Sequence, residues 1–203
     1  MQNLDLKKIK EQSYSGGGSG RAPLRGAPTP QIKQIAKTIK RNPIYILLEN
    51  VYDTFNIGGF FRLCDAIACQ QLILVGRSST PPDNKIKKSS VGTVHAVDWQ
   101  YYPTTKSAIE SIKKEHPKLY TVAVELDKQA VMYNQTDYPA PILLIFGNET
   151  NGVSKETLAM VDKIIQLPMY GVNGSLNVVV SAGIITYHIL NTWQKQTSLK
   201  SVT

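Results

Sequence analysis

Several features that mark particular classes of protein are scarce or missing in these 203 residues. No apolar run reaches the roughly 18 residues that a membrane-spanning helix needs, and no apolar stretch follows the first lysines, so we expect neither a membrane protein nor a secretory signal. The sequence has two cysteines, Cys64 and Cys69, without a histidine at metal-ligand spacing. This predicts reduced core thiols in a cytoplasmic protein and no metal site. No Gly-x-Gly-x-x-Gly turn follows a strand, which argues against a dinucleotide-type site.

The positive charge is concentrated near the start of the sequence. Residues 1–41 contain nine basic and two acidic residues, a net charge of +7, whereas residues 42–203 contain fourteen and thirteen, a net charge of +1. A polyanion such as RNA is one natural partner for such a segment, and a tail that only aids solubility is the alternative.

Composition also divides the sequence near residue 41. Residues 1–41 are predicted to be a flexible basic extension, because Ser15–Gly20 has linker composition and three prolines follow it. The extension ends in a short basic helix over Gln31–Arg41. Residues 42–203 are predicted to form one domain, since this length can bury a single core.

Short apolar runs alternate with helical patterns from Ile44 onward, which predicts a three-layer α/β domain around a mainly parallel sheet. Several strands lack alternation, as strands covered on both faces do. The predicted strands are Ile44–Leu48, Leu72–Val75, Trp99–Tyr102, Leu119–Val124, Ile142–Phe146 and Ile164–Leu167. The predicted helices are Ile57–Ala68, Ser90–Val97, Thr104–Glu115, Ser154–Val161 and Leu176–Thr192.

The first of three segments with potential chemistry is Glu49–Ile67, ENVYDTFNIGGFFRLCDAI. Asn56 is a plausible N-cap of the helix that follows. Gly58 and Gly59 are poor helix formers, so we expect something to approach the backbone closely there. Arg62 lies off the apolar stripe, where it either serves function or pairs with Asp65 at i+3.

The other two segments are glycine-containing turns that follow strands. In Leu143–Ser154, LLIFGNETNGVS, a buried strand enters a polar turn, and Glu149 is either a ligand anchor at the carboxyl end of the sheet or simply solvated. In Leu167–Ile185, LPMYGVNGSLNVVVSAGII, Ser175 is predicted to cap a nearly apolar helix, and capping alone would also account for Ser175 and Asn177. A helix this apolar predicts a subunit interface.

Taken in order, the three segments resemble the three motifs of the SpoU/TrmH family of RNA ribose 2′-O-methyltransferases, in the SPOUT superfamily. The first motif is Asn56-Ile57-Gly58 with Arg62, and the second is Gly147-Asn148-Glu149 with Gly152. The third is Leu167-Pro168-Met169, Ser175-Leu176-Asn177 and Ala182-Gly183-Ile184. The resemblance spans roughly Ile44–Leu190. It implies a C-terminal trefoil knot, an obligate homodimer, S-adenosylmethionine as cofactor and transfer or ribosomal RNA as substrate.

The resemblance also implies roles for individual residues. Gly147, Leu167, Met169 and Leu176 are expected to contact S-adenosylmethionine. Catalytic residues are expected to be Arg62, supported by Asn56, together with Glu149, Ser175 and Asn177. An arginine is a poor base, because its guanidinium stays protonated in proteins, so we expect Arg62 to orient RNA and stabilise the developing alkoxide.

Two other functions remain open at this point, methylation of an RNA base by a SPOUT relative and RNA binding without catalysis. The Ser-Leu-Asn motif favours the ribose, and the intact polar residues favour an enzyme. RNA binding is expected from the basic extension, through Arg21, Arg25, Lys33, Lys37, Lys40 and Arg41.

Overall fold

Seven parallel strands form one sheet in the computed structural model, which describes residues 29–200. The strands are β1 Asn42–Glu49, β2 Cys69–Val75, β3 Trp99–Tyr102, β4 Tyr120–Val124, β5 Val131–Met132, β6 Ile142–Gly147 and β7 Lys163–Gln166. Their order is β3-β2-β1-β6-β4-β7-β5, and each neighbouring pair is parallel. The prediction of a mainly parallel α/β sheet is confirmed. The two-residue strand β5 was not predicted, because it is too short to leave a pattern.

Within residues 29–200, six helices and a short 3-10 helix connect or flank these strands. They are α1 Thr29–Thr38, α2 Thr54–Ala66, α3 Asn84–Ser89, a 3-10 helix at Thr93–His95, α4 Thr105–Glu115, α5 Lys155–Leu158 and α6 Val178–Lys200. None of the helices over 29–200 is long and apolar enough to cross a membrane.

The central strands separate two apolar clusters, one on each face of the sheet. Ile44, Ile46 and Leu48 of β1 pack with α2 and α6, whereas Tyr45 and Leu47 pack with α4 on the other face. This arrangement explains the apolar runs without alternation, because both faces are covered. Cys64 and Cys69 are buried with free thiols in the first cluster, as predicted.

Two predicted helix starts are wrong. Asp53, not Asn56, caps α2, because its carboxylate accepts the Phe55 N–H at 2.8 Å. Asn177, not Ser175, caps α6, since its Oδ1 accepts from the N–H groups of Val179 and Val180 at 2.9 and 3.3 Å. In both cases another polar side chain, three positions away for α2 and two for α6, could also have capped the helix, and local sequence did not decide between them.

The predicted helix over Ser90–Val97 is also wrong. Helix α3 begins earlier, where the Asp83 carboxylate accepts the N–H groups of Lys85 and Ile86. The chain then breaks at Val91 and Gly92, whose φ values of 53° and 90° are left-handed and cannot continue a helix.

The groups that approach the backbone of the α2 glycines closely are side chains of the protein itself. A Cβ at Gly58 would overlap the side chain of Ser89, and one at Gly59 would come within 3.0 Å of Val179. The two glycines therefore let α3 and α6 pack against the first turns of α2. This packing brings the start of α6 beside the start of α2.

Candidate active site

The turns at the carboxyl ends of β4, β6 and β7 enclose a cavity of about 470 Å³ together with the residues that precede α6. Parallel strands bring their carboxyl ends to one edge of the sheet, so segments distant in sequence meet there. The wall includes apolar side chains of Phe146, Leu167, Met169 and Leu176. The cavity falls in the size range of small-molecule sites, about 300–1,000 Å³.

Asn56 joins the three sequence motifs at one point beside this cavity. Its Nδ2 donates a hydrogen bond to Oε1 of Glu149, and its Oδ1 accepts one from Nδ2 of Asn177 at 3.1 Å. Asn56 is buried, whereas Glu149 and Asn177 are exposed and line the cavity. An amide suits this position because it offers a donor to the carboxylate and an acceptor to the second amide.

Asn177 has two structural tasks at once. Its Oδ1 caps α6 while its Nδ2 holds Asn56, so the start of α6 is tied directly to the first motif. Asn177 therefore caps α6, as the sequence suggested, and also contacts Asn56 inside the site.

Glycine and asparagine shape the turn after β6. A Cβ at Gly147 would overlap the backbone of Gly152, and Gly152 itself has a left-handed φ of +64°. The side chain of Asn148 accepts from the N–H groups of Thr150 and Asn151 at 2.9 and 2.8 Å, which closes the turn. The turn thus presents Glu149 at the cavity with little freedom to move.

Two carboxylates that sequence reasoning missed hold the far end of this turn. Glu125, which follows β4 and lines the cavity, accepts the Val153 N–H at 2.7 Å. Glu49, at the end of β1 and only 5% exposed, accepts the Ser154 N–H at 2.8 Å. It also accepts the hydroxyls of Thr105 and Thr157, both at 2.6 Å. The available signal was an acidic residue directly after an apolar strand.

The structure brings most of the predicted site residues together. The four residues expected to contact the cofactor and three of those expected to be catalytic line the one cavity: Gly147, Leu167, Met169, Leu176, Glu149, Ser175 and Asn177. Ser175 is exposed and its hydroxyl forms no hydrogen bond within residues 29–200. These placements agree with the predicted roles, which remain predictions.

Arg62 lies outside the cavity wall. It is exposed on the face of α2 that carries Gly59, whose neighbour is Val179 of α6. The alternative, that Arg62 pairs with Asp65, is wrong. The one ion pair within the described part of the chain joins Lys106 and Glu110 instead. The guanidinium of Arg62 forms no hydrogen bond there either.

The expected RNA-binding residues are placed unequally. Lys33, Lys37 and Lys40 are exposed on or just after α1. Arg41 is half-buried and donates from Nη2 to the Ala96 carbonyl at 2.7 Å. Arg21 and Arg25, and the glycine-rich segment, lie outside the described residues. No cluster of side chains suited to a metal ion is found within residues 29–200.

Comparison with known proteins points to one family. The sequence model of the SpoU rRNA Methylase family matches residues 43–187. The tRNA (guanosine(18)-2′-O)-methyltransferase of Thermus thermophilus is 32% identical over 149 residues, which are 73% of this chain and 75% of that protein. The enzyme of the same name from Aquifex aeolicus is 28% identical over 160 residues, 77% of this chain and 74% of its own.

Solved structures share the fold. The A. aeolicus TrmH/SpoU tRNA modifying enzyme superposes with a TM-score of 0.70 and 27% identity, over 83% of this chain and 84% of its own. The SpoU methyltransferase AviRb from Streptomyces viridochromogenes, in complex with AdoMet, gives a TM-score of 0.69 at 24% identity. That match covers 76% of this chain and 59% of AviRb.

Replacing Gly147 with alanine should lower affinity for S-adenosylmethionine by about tenfold or more, because the added methyl group would push the turn after β6 away from Gly152. Isothermal titration calorimetry measures the affinity, and thermal unfolding reports whether the variant stays folded. Gly171→Ala is the matched control, since a Cβ there has no neighbour within 4 Å. An unchanged affinity in folded Gly147→Ala protein would remove this turn from the cofactor site.

Proposed function

Because the chain belongs to the SpoU rRNA methylase family, we propose that it methylates a ribose 2′-hydroxyl of transfer RNA. The enzyme class and the cofactor follow from the family: the protein is an RNA ribose 2′-O-methyltransferase that uses S-adenosylmethionine. The choice of transfer RNA is supported by the names of the two relatives described above. The observation in the structure that supports the function most strongly is the contact of Asn56 with Glu149 and Asn177 beside the cavity.

The cavity at the carboxyl ends of the strands fits S-adenosylmethionine, which supplies an electrophilic methyl group when bound. Leu167, Met169 and Leu176 offer apolar surface, and Glu125 and Glu149 offer negative charge for a cationic ligand. Gly147 and the backbone of its turn complete the wall in this proposal.

Arg62 is proposed to act on the RNA rather than on the cofactor. Its exposed guanidinium forms no hydrogen bond or ion pair within the described residues. It can form paired hydrogen bonds with a phosphate and stabilise negative charge on the ribose oxygen. Ser175, whose hydroxyl is also unpaired there, is proposed to bond the ribose or Arg62.

Glu149 is fixed by Asn56 through one carboxylate oxygen, Oε1. Its Oε2 forms no hydrogen bond within residues 29–200, and the side chain is exposed at the cavity. We propose that this second oxygen faces the substrate hydroxyl, where it accepts a hydrogen bond. Holding the hydroxyl in line with the methyl group can supply much of the rate acceleration.

We also propose that two copies of the chain pair through α6. Val180, Ile184 and Tyr187 recur at i, i+4 and i+7 on this helix and are 40–49% exposed. Gly183 beside them has open space around it, which would allow another helix to approach. The same face of a second copy would cover it in a symmetric dimer, and most soluble oligomers are symmetric assemblies of one chain.

The knot and the location implied by the resemblance remain proposals. The turn after β6 and the segment after β7, which the resemblance places in the knot, line one cavity. The two buried free thiols fit a reducing compartment such as the cytoplasm. The basic extension over residues 1–41 is proposed to hold RNA, through Lys33, Lys37 and Lys40 among the described residues.

The proposed reaction predicts a 2′-O-methylated product. After incubation with labelled S-adenosylmethionine and bulk transfer RNA, alkaline hydrolysis should leave the label in a resistant dinucleotide. The reason is that a methylated 2′-oxygen cannot attack the neighbouring phosphate. Label on a base would contradict ribose methylation, and label entering ribosomal RNA alone would contradict the choice of transfer RNA.

Arg62→Ala should lower kcat by about 100-fold or more, as loss of a group that stabilises developing charge does. Affinity for S-adenosylmethionine should change less than about twofold, because Arg62 is not part of the cavity wall. Single-turnover kinetics and calorimetry measure the two effects. Lys106→Ala, which removes an exposed cation from α4, is the control and should retain activity; retained turnover in Arg62→Ala would show that the arginine is not catalytic.

The chain should sediment at about twice its mass of 22.5 kDa. Ile184→Glu should yield monomers, because a charge would be placed in the apolar face of α6. Gln196→Glu, in the exposed last turns of the same helix, should leave the dimer intact. Wild-type protein that stays monomeric at micromolar concentration would disprove the proposed interface.

A further inference from the structure

We propose that a second cavity, beside α1, is a docking pocket for one nucleotide of the substrate RNA, remote from the site of methyl transfer. This α1 pocket has a volume of about 520 Å³ and is lined by α1, Arg41, the residues Pro81–Asp83 with Lys87 of α3, and the segment Val94–Trp99. The proposal rests on RNA being the substrate. It adds a site that the three motifs do not include.

The charge around the α1 pocket favours an anion. Lys33 and Lys37 reach it from α1 and Lys87 from α3, in addition to Arg41. Two carboxylates, those of Asp83 and Asp98, also line it among the described residues. The Asp83 carboxylate is already engaged by two backbone N–H groups at the start of α3. The balance is therefore positive, as a phosphate site requires.

Arg41 has a charge that the described residues do not pair. Its Nη2 donates to the Ala96 carbonyl at 2.7 Å, which fixes the plane of the guanidinium. Its Nη1 is buried and has no hydrogen-bond partner within residues 29–200. Burial raises the pKa of Asp65, and the charge of Arg41 nearby lowers it in part. No ion pair joins the two residues. A phosphate is an acceptor that a guanidinium binds strongly.

Apart from His95, the remaining wall is apolar, which a site for a phosphate alone would not need. Trp99 is half-buried, and Ala36, Val94 and the two prolines Pro81 and Pro82 lie around it. Bases of single-stranded RNA stack on aromatic side chains while their phosphates contact basic ones. A volume of about 520 Å³ with one charged and one apolar side therefore fits an unpaired nucleotide.

The α1 pocket and the catalytic cavity share no lining residue, and part of the α1 pocket lies at the amino ends of the strands. Arg41 directly precedes β1 and Asp98 directly precedes β3, whereas the catalytic cavity lies beyond the carboxyl ends of the strands. The eight residues of β1 alone span roughly 25 Å at about 3.3 Å per residue. The nucleotide in the α1 pocket is thus not the one that is methylated. Its binding should contribute to KM and leave kcat unchanged.

Charge reversal tests the pocket against a general electrostatic effect. Lys37→Glu should raise the Kd for bulk transfer RNA about tenfold and lower the slope of log K against log salt by about 1. Lys88→Glu is the matched control, because Lys88 is an exposed lysine of α3, next to Lys87 in the sequence, that does not line the pocket. It should raise the Kd less than about threefold. Equal weakening by the two variants in fluorescence anisotropy would overturn the proposal.

A second pair of variants tests the shape of the pocket without altering charge. Ala36→Phe would fill the pocket and should raise KM for transfer RNA about tenfold at unchanged kcat. Gln34→Phe, exposed on the same helix and outside the pocket, should behave as wild type. Wild-type KM in folded Ala36→Phe protein would overturn the proposal.

Binding by anisotropy needs no methyl transfer, so failure of the pocket and failure of the proposed function give different results. If the wild type methylates transfer RNA but all four variants bind like it, the pocket proposal alone is wrong. If the wild type binds transfer RNA without methylating it and Lys37→Glu still raises the Kd more than Lys88→Glu does, the pocket stands and the proposed reaction falls. If the wild type binds no RNA, both are wrong.

Discussion

The side-chain amide of Asn56 is the contact on which the candidate active site depends. It joins residues that are 93 and 121 positions away in the chain, one on the turn after β6 and one at the start of α6. Only an amide can serve here among residues of this size, because Glu149 requires a donor and Asn177 supplies one. An aspartate would repel Glu149, and an apolar residue would leave both partners unpaired beside the cavity. The polar identity of Asn56 therefore sets the relative position of the three motifs.

A parallel sheet makes such a contact possible, but glycines and buried carboxylates determine its geometry. Gly58 and Gly59 bring α3 and α6 against α2, so the start of α6 reaches Asn56. On the other side, Glu49 and Glu125 hold the N–H groups of Ser154 and Val153, which fixes the turn that presents Glu149. The exposed residues of the site are thus supported by carboxylates that hold the backbone of the turn. Preorganisation of this kind is what positioning of a ribose hydroxyl requires.

The sequence was sufficient to predict the sheet, because runs such as Ile142–Phe146 are apolar on both faces, and to predict which turns meet. It was insufficient where partners are distant or compete. Glu49 binds groups 56 to 108 residues further along the chain, which no local pattern reveals. Asp53 and Asn177 cap the helices instead of Asn56 and Ser175, because aspartate, asparagine and serine can all cap and only the tertiary contacts decide. The helix predicted over Ser90–Val97 failed for a local reason, the left-handed backbone at Val91 and Gly92.

Arg62 and Arg41 have different surroundings in the fold, and these suit them to different chemical roles that composition alone could not reveal. Arg62 is exposed on α2 without a hydrogen bond or ion pair among the described residues, so its charge is available to an anionic ligand. Arg41 is half-buried and donates a hydrogen bond to the Ala96 carbonyl, so it helps to orient α1 even when no ligand is bound. Since α1 carries Lys33 and Lys37, that tie also determines where their charges lie. A basic extension that looked like a diffuse electrostatic tail in the sequence thereby includes a fixed element, and a fixed element can select one nucleotide where a tail attracts any polyanion.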